Sequence, residues 1–109
     1  YKEKVLKAKD IDTIVTGRRL GHPVRALKNP FSRRYAQMEY DASVSDEELE
    51  AYGVGSLRRA AKEGDLERGS FLAGQCAAMV NQKESARAII EGMMRQAEEV
   101  LCTAAKWEK

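Results

Sequence analysis

Few residues in this chain have the types and spacing that chemistry needs. The only imidazole is His22, set between Gly21 and Pro23. A ligand or general-base role would need carboxylate or thiol partners at matching positions, and the spacing names none, so His22 reads as a turn residue. A single histidine also excludes any cluster of imidazole ligands for a metal. The two thiols, Cys76 and Cys102, stand in no CxxC or other metal-ligand spacing. Both fall in apolar helical contexts and are expected as reduced core thiols rather than a disulfide. Gly17-Arg-Arg-Leu-Gly lacks the glycine spacing that turns several backbone N–H groups on one phosphate.

Two features keep a functional reading open. From Thr13 to Met38 there is no acid, while Arg18, Arg19, Arg25, Lys28, Arg33 and Arg34 lie inside that window. Asp41, Asp46, Glu47, Glu48 and Glu50 follow at once. The two windows either neutralise each other across the surface or leave a basic face, carried by Arg18, Arg19, Arg33 and Arg34, for an acidic partner. The second feature is Gln75, an amide inside the apolar run Phe71–Val80 and next to Gly74. If buried, it must find hydrogen-bond partners, from a neighbouring loop or from a planar ligand.

The elements that would position these groups are mostly helical. Tyr1 to Lys9 reads as a short helix with Val5 and Leu6 inward. Thr13–Thr16 is β-branched throughout and suits a strand. Val24–Leu27 is expected to pair with it across a loop too long for a two-residue hairpin. Asn29-Pro30 is a helix start, with the stripe Phe31, Tyr35, Met38 behind it. Ser45-Asp46-Glu47-Glu48 is a capping box for a helix ending at Gly53. Gly53 and Gly55 suggest a hinge, and a further helix, Leu57 to Glu63, closes at Gly64. Phe71–Val80, small and apolar on nearly all sides, is expected to be buried. Ser85 caps a last helix reaching about Lys106. Its apolar face runs through Ile89, Ile90, Met93, Met94, Ala97, Val100 and Leu101.

The expected fold class is therefore α+β: mainly helical with a small two-stranded element. Residues 1–84 form one compact region, and residues 85–109 form a helix whose stripe wants a partner surface. With 109 residues the chain holds one small domain. The 19 basic and 17 acidic side chains make a net charge of +2, too little for a general nucleic-acid surface. No apolar run approaches the ~20 residues of a membrane span. A chain opening at Tyr1 inside a helix is expected to be a piece of a longer polypeptide.

Five stretches occur in a telling order: Tyr1-Lys-Glu-Lys-Val-Leu-Lys-Ala, Asp12-Thr-Ile-Val-Thr-Gly, Gly21-His-Pro-Val-Arg-Ala-Leu-Lys-Asn, Glu63-Gly-Asp-Leu-Glu-Arg-Gly-Ser and Leu72-Ala-Gly-Gln. Together they resemble the C-terminal third of the FMN-dependent enoyl-acyl-carrier-protein reductase II family, whose architecture the nitronate monooxygenases (2-nitropropane dioxygenases) share. The Gly21–Asn29 stretch leans towards the reductases. The resemblance implies a flavin (β/α)8 barrel with a smaller cap domain, of which this chain would hold most of the cap and the helix that leads back to the barrel. It implies FMN and NAD(P)H as cofactors of the whole enzyme, and none bound to this piece. It also implies reduction of enoyl thioesters on acyl carrier protein, in fatty acid synthesis in the cytoplasm. The catalytic histidine and the phosphate-gripping segment would lie upstream, so no catalytic residue is expected in this stretch. Ala73, Gly74 and Gln75 are the positions expected on the flavin and substrate side. A nitronate monooxygenase or a free-standing interaction module is the alternative.

Overall fold

The computed structural model describes residues 1–107. Helix α1 spans Lys2–Leu6, shorter than the expected Tyr1–Lys9. Strands β1 (Thr13–Thr16) and β2 (Val24–Leu27) pair antiparallel, with Thr13 opposite Leu27 and Thr16 opposite Val24. Their connection turns at Gly17, where φ is +82° and a Cβ would stand 2.3 Å from the His22 carbonyl oxygen. Only glycine can occupy that position without moving the turn. The Leu72 segment bridges to Ala26, with Leu27 N–H donating to the Phe71 carbonyl at 2.8 Å and Ala73 N–H to Arg25 at 3.2 Å. The sheet thus gains a short third edge that the sequence pattern did not show.

Helix α2 (Pro30–Tyr40) starts as Asn29-Pro30 dictates: the Asn29 side chain accepts from Ser32 N–H, and the Ser32 hydroxyl accepts from Asn29 N–H. Helix α3 (Asp46–Gly53) carries the expected capping box of Ser45 and Glu48. After a turn at Gly55, α4 (Ser56–Arg58) widens into a π-helical turn, Arg59–Glu63, closed by Gly64. Gly69 then packs directly beneath it, where an added Cβ would lie 2.8 Å from Ala60 Cα. A 3-10 turn spans Gln75–Met79. Helix α5 (Ala86–Thr103), capped by Ser85, ends in the 3-10 turn Ala104–Trp107.

Two small cores result. Leu27, Ala60, Phe71 and Ala77 form one, with Val5, Ala8 and Ala73 against it. Phe31, Tyr35 and Leu49 form the other, with Leu20, Met38 and Val44. The expected α2 stripe is therefore a core face. Other expectations of burial fail. Cys76 and Cys102 are both exposed, and so is Gln75, while only Phe71 and Ala77 of the run Phe71–Val80 are buried. A chain of this size has too little interior for a whole apolar segment to be covered on every side.

Helix α5 is the outlying element. It buries no residue, and Met93, Met94 and Leu101 are 64%, 60% and 74% exposed. Near its start Ile89 meets Tyr1, Val5, Leu6 and Val80 round a small apolar notch. At ~1.5 Å per residue its 18 residues extend roughly 27 Å. The Cα radius of gyration is 18.6 Å, against about 13 Å for a compact chain of this length.

Candidate functional site

The four arginines expected on a basic face do not share one cleft: Arg18 and Arg19 border one hollow and Arg33 lines another. Arg19 is part of the scaffold: its Nε meets the Asp46 carboxylate at 2.7 Å, and its Nη atoms donate to the Val44 and Asp41 carbonyls at 2.7 and 3.3 Å. Its backbone N–H donates to Glu39 at 3.2 Å. This clasp ties the β1–β2 connection to the α2–α3 loop. Ser43 donates to Asp41, and this bonding, then the Arg34 and Arg19 charges, holds the Asp41 carboxyl below the ordinary carboxylate range.

Arg18 and Arg19 border a hollow with Val15, Glu39 and Tyr40. Arg33 lines a different cleft, of about 430 Å³, with Lys4, Lys7 and Lys28. The two acids of that cleft are already engaged: Glu3 pairs with Lys83, and Asp12 accepts from the Lys9 N–H. Lys4 donates to the Lys28 carbonyl at 3.1 Å and Lys28 to the Ile11 carbonyl at 2.5 Å. The basic face is thus built by Lys4 and Lys7, from the N-terminal segment, together with Lys28 and Arg33. The sequence window missed the contribution of Lys4 and Lys7 because both precede it.

Ala73, Gly74 and Gln75 sit at the open edge of the sheet, between the Leu72 bridge and the 3-10 turn. Gly74 and Gln75 are exposed and Ala73 is half-buried. A Cβ on Gly74 would meet nothing closer than the Cys76 sulfur at 3.5 Å. Among the described residues nothing demands glycine there. His22 is exposed, and its backbone N–H donates to Gly17 at 2.9 Å, which fits the turn role. It also borders a smaller cleft with Thr16, Tyr35, Ser56, Ser70 and Leu72. Spacing along the chain carried no signal for that grouping. Burial pushes the Tyr35 phenol up, and the Glu39 and Glu50 charges add to this, so it stays protonated at neutral pH.

Among the described residues no group of three or more His, Cys, Asp or Glu could hold a metal ion, and no helix is long and apolar enough to cross a membrane.

The fold is decisive for relationship. FabK from Thermotoga maritima superposes on 99% of this chain with a TM-score of 0.90 and 42% sequence identity. The chain is related to the enoyl-acyl-carrier-protein reductase II and nitronate monooxygenase family. The M276A mutant of the same FabK matches 99% of the chain with a TM-score of 0.76 and 39% identity. A probable nitronate monooxygenase of Staphylococcus saprophyticus is 32% identical over 102 residues, 93% of the chain. These relatives are oxidoreductases. The chain spans about a third of their length: 34% and 31% of the two FabK chains and 28% of the monooxygenase. No protein-family model matches the chain.

Proposed function

We propose that this chain is the cap portion of an FMN-dependent enoyl-acyl-carrier-protein reductase, with residues 1–84 forming the cap and residues 85–109, of which 108 and 109 lie outside the described residues, the segment that returns to the barrel. The observation that carries the reading is the likeness to FabK over 99% of the chain at 42% identity, against 32% for the nitronate monooxygenase. The exposed stripe of α5 supports the division: a helix with six large apolar side chains in water is a helix made to pack.

The cofactors of this reading are FMN and NAD(P)H, which supply hydride chemistry when bound to the whole enzyme. On this reading the flavin is gripped by residues outside this stretch, with Ala73, Gly74 and Gln75 on the flavin and substrate side of the cap. On this reading the part played by the chain is to shape the lid side of the pocket and to exclude water. The thioester substrate rides on acyl carrier protein, an acidic partner in the cytoplasm. Arg18, Arg33 and Arg34 are the docking side chains free to meet it, while Arg19 holds the surface that presents them.

Two measurements test the reading. The full-length polypeptide should reduce a crotonyl thioester with NAD(P)H, and oxidation of an alkyl nitronate with oxygen instead would transfer the reading to the monooxygenase branch. FMN titrated into the 109-residue chain should leave the flavin spectrum unchanged. A complex of micromolar affinity would show that the chain holds the cofactor alone.

A further inference from the structure

Four cationic side chains, Lys4, Lys7, Lys28 and Arg33, line the cleft of about 430 Å³. They come from separate stretches: Lys4 and Lys7 sit in and just after α1, Lys28 follows β2 and Arg33 lies in α2. Two of them are held by the backbone. The Lys4 ammonium donates to the Lys28 carbonyl at 3.1 Å, and the Lys28 ammonium to the Ile11 carbonyl at 2.5 Å. Both acceptors are neutral, so these charges are placed without being cancelled. Arg19 is the contrast, since its guanidinium meets the Asp46 carboxylate. The Lys4 Nζ also stands 5.5 Å from the centre of the Phe71 ring, a contact that steadies a cation and leaves its charge in place.

The acids of the cleft do not make up the difference. Glu3 pairs with Lys83, which does not line the cleft. The Lys83 hydrogen bond and charge, ahead of the Lys7 charge, hold the Glu3 carboxyl below the ordinary range. Asp12 accepts from the Lys9 N–H at 2.9 Å, and its charge is the one left to offset four cations. Like charges gathered in a concave place repel one another and focus a field that draws in a counter-ion. A single carboxylate would balance only one of them. Each ammonium has three N–H donors, of which a carbonyl takes one, and a guanidinium has five. A tetrahedral oxyanion with two or more charges accepts from several such donors at once.

We propose that this cleft binds a free phosphate-type oxyanion, phosphate or diphosphate, which balances Lys4, Lys7, Lys28 and Arg33 and so stabilises the folded chain. The ion acts as a stabilising effector and takes no part in chemistry. The inference concerns binding by this chain's own side chains and does not depend on the enzymatic reading.

The test is calorimetric titration of phosphate and diphosphate into the 109-residue protein, with sodium chloride at equal ionic strength as the control for screening. Saturable one-site binding is expected, tighter for diphosphate, and the melting temperature should rise with diphosphate and not with chloride. Lys7 and Arg33 are exposed, so Lys7→Gln and Arg33→Gln leave the cores intact. Each should weaken diphosphate binding roughly three- to tenfold, as loss of one charge contact at a half-open site does. Arg34 does not line the cleft, and Arg34→Gln should bind like wild type. Absence of saturable binding above the chloride control would overturn the proposal. So would wild-type affinity in both cleft variants, or an Arg34→Gln protein weakened as much as Arg33→Gln, which would give the binding to the basic surface at large.

Discussion

The Nδ2 of Asn29 donates to the Gly69 carbonyl at 2.7 Å, while the same side chain's oxygen accepts from Ser32 N–H. One amide therefore caps α2 and clamps the Asp65–Ser70 loop, with a further bond to the Leu66 carbonyl at 3.0 Å. Asn29 is 5% exposed, so water cannot replace what it gives. Asn29→Ala should cost about 2–4 kcal/mol, the sum of a lost cap and of buried carbonyls left without donors. Asn29→Asp keeps the cap acceptor but sets a carboxylate against two carbonyls, and should recover little. Urea unfolding of the three proteins checks this; an Asp variant as stable as wild type would show that the loop does not need the clamp.

Gly17 and Gly21 both have positive φ in the β1–β2 connection, +82° and +77°. Only Gly17 is crowded, since a Cβ at Gly21 meets nothing within 4 Å. Gly21→Ala should cost about 1–2 kcal/mol for the backbone conformation alone. Gly17→Ala must also displace the His22 peptide and should be clearly worse. Thermal melts of the two variants should keep that order.

The basic residues should separate by role. Arg19→Ala breaks the clasp to Asp46, Asp41 and Val44 and should lower the melting temperature without depending on any partner. Arg33→Glu and Arg34→Glu, made together, should leave the melt unchanged, since neither side chain is tied into the fold. In the full-length enzyme the pair should raise KM for the carrier-bound thioester, leave the coenzyme A thioester little affected, and flatten the salt dependence. Equal effects on both substrates would assign the arginines to cap integrity rather than docking.

The α5 stripe should drive self-association of the 109-residue chain. Ile90, Met93, Met94, Val100 and Leu101 are each more than half exposed, and a second copy is the nearest apolar surface that can cover them. Sedimentation should show concentration-dependent dimers, and Met93→Glu with Leu101→Glu should return a monomer. A wild-type monomer at high concentration would remove the prediction.

Asp65 offers a pH test. Its carboxylate accepts from the Arg68 and Glu67 N–H groups, each at 2.9 Å, and the Arg68 bond is the main reason its carboxyl titrates below the ordinary range. A depressed folded value means stability that is present above the unfolded value and lost as pH falls through the folded one. Asp65→Asn should therefore lower stability at neutral pH and converge on wild type in acid, as read by melts at neutral and acidic pH.

What the sequence determined by itself was local or ordered along the chain. The caps at Asn29, Ser45 and Ser85, the strand pair and the α2 stripe are all encoded within a turn or two, where donor and acceptor are neighbours whatever the rest does. The ordered motifs pointed to the family for the same reason, since order is a property of the chain. Tertiary structure alone decided the remainder. Cys76, Cys102 and Gln75 look like core residues by composition, yet burial depends on what stands opposite, and this small body leaves them uncovered. Arg19 lost its freedom because the chain returns to bring Asp46 beside it. Thr16, Ser56 and Ser70 share a cleft only because Gly17 turns the first strand and the chain runs back beneath Ala60 at Gly69. No spacing rule links positions so far apart; the path of the backbone does.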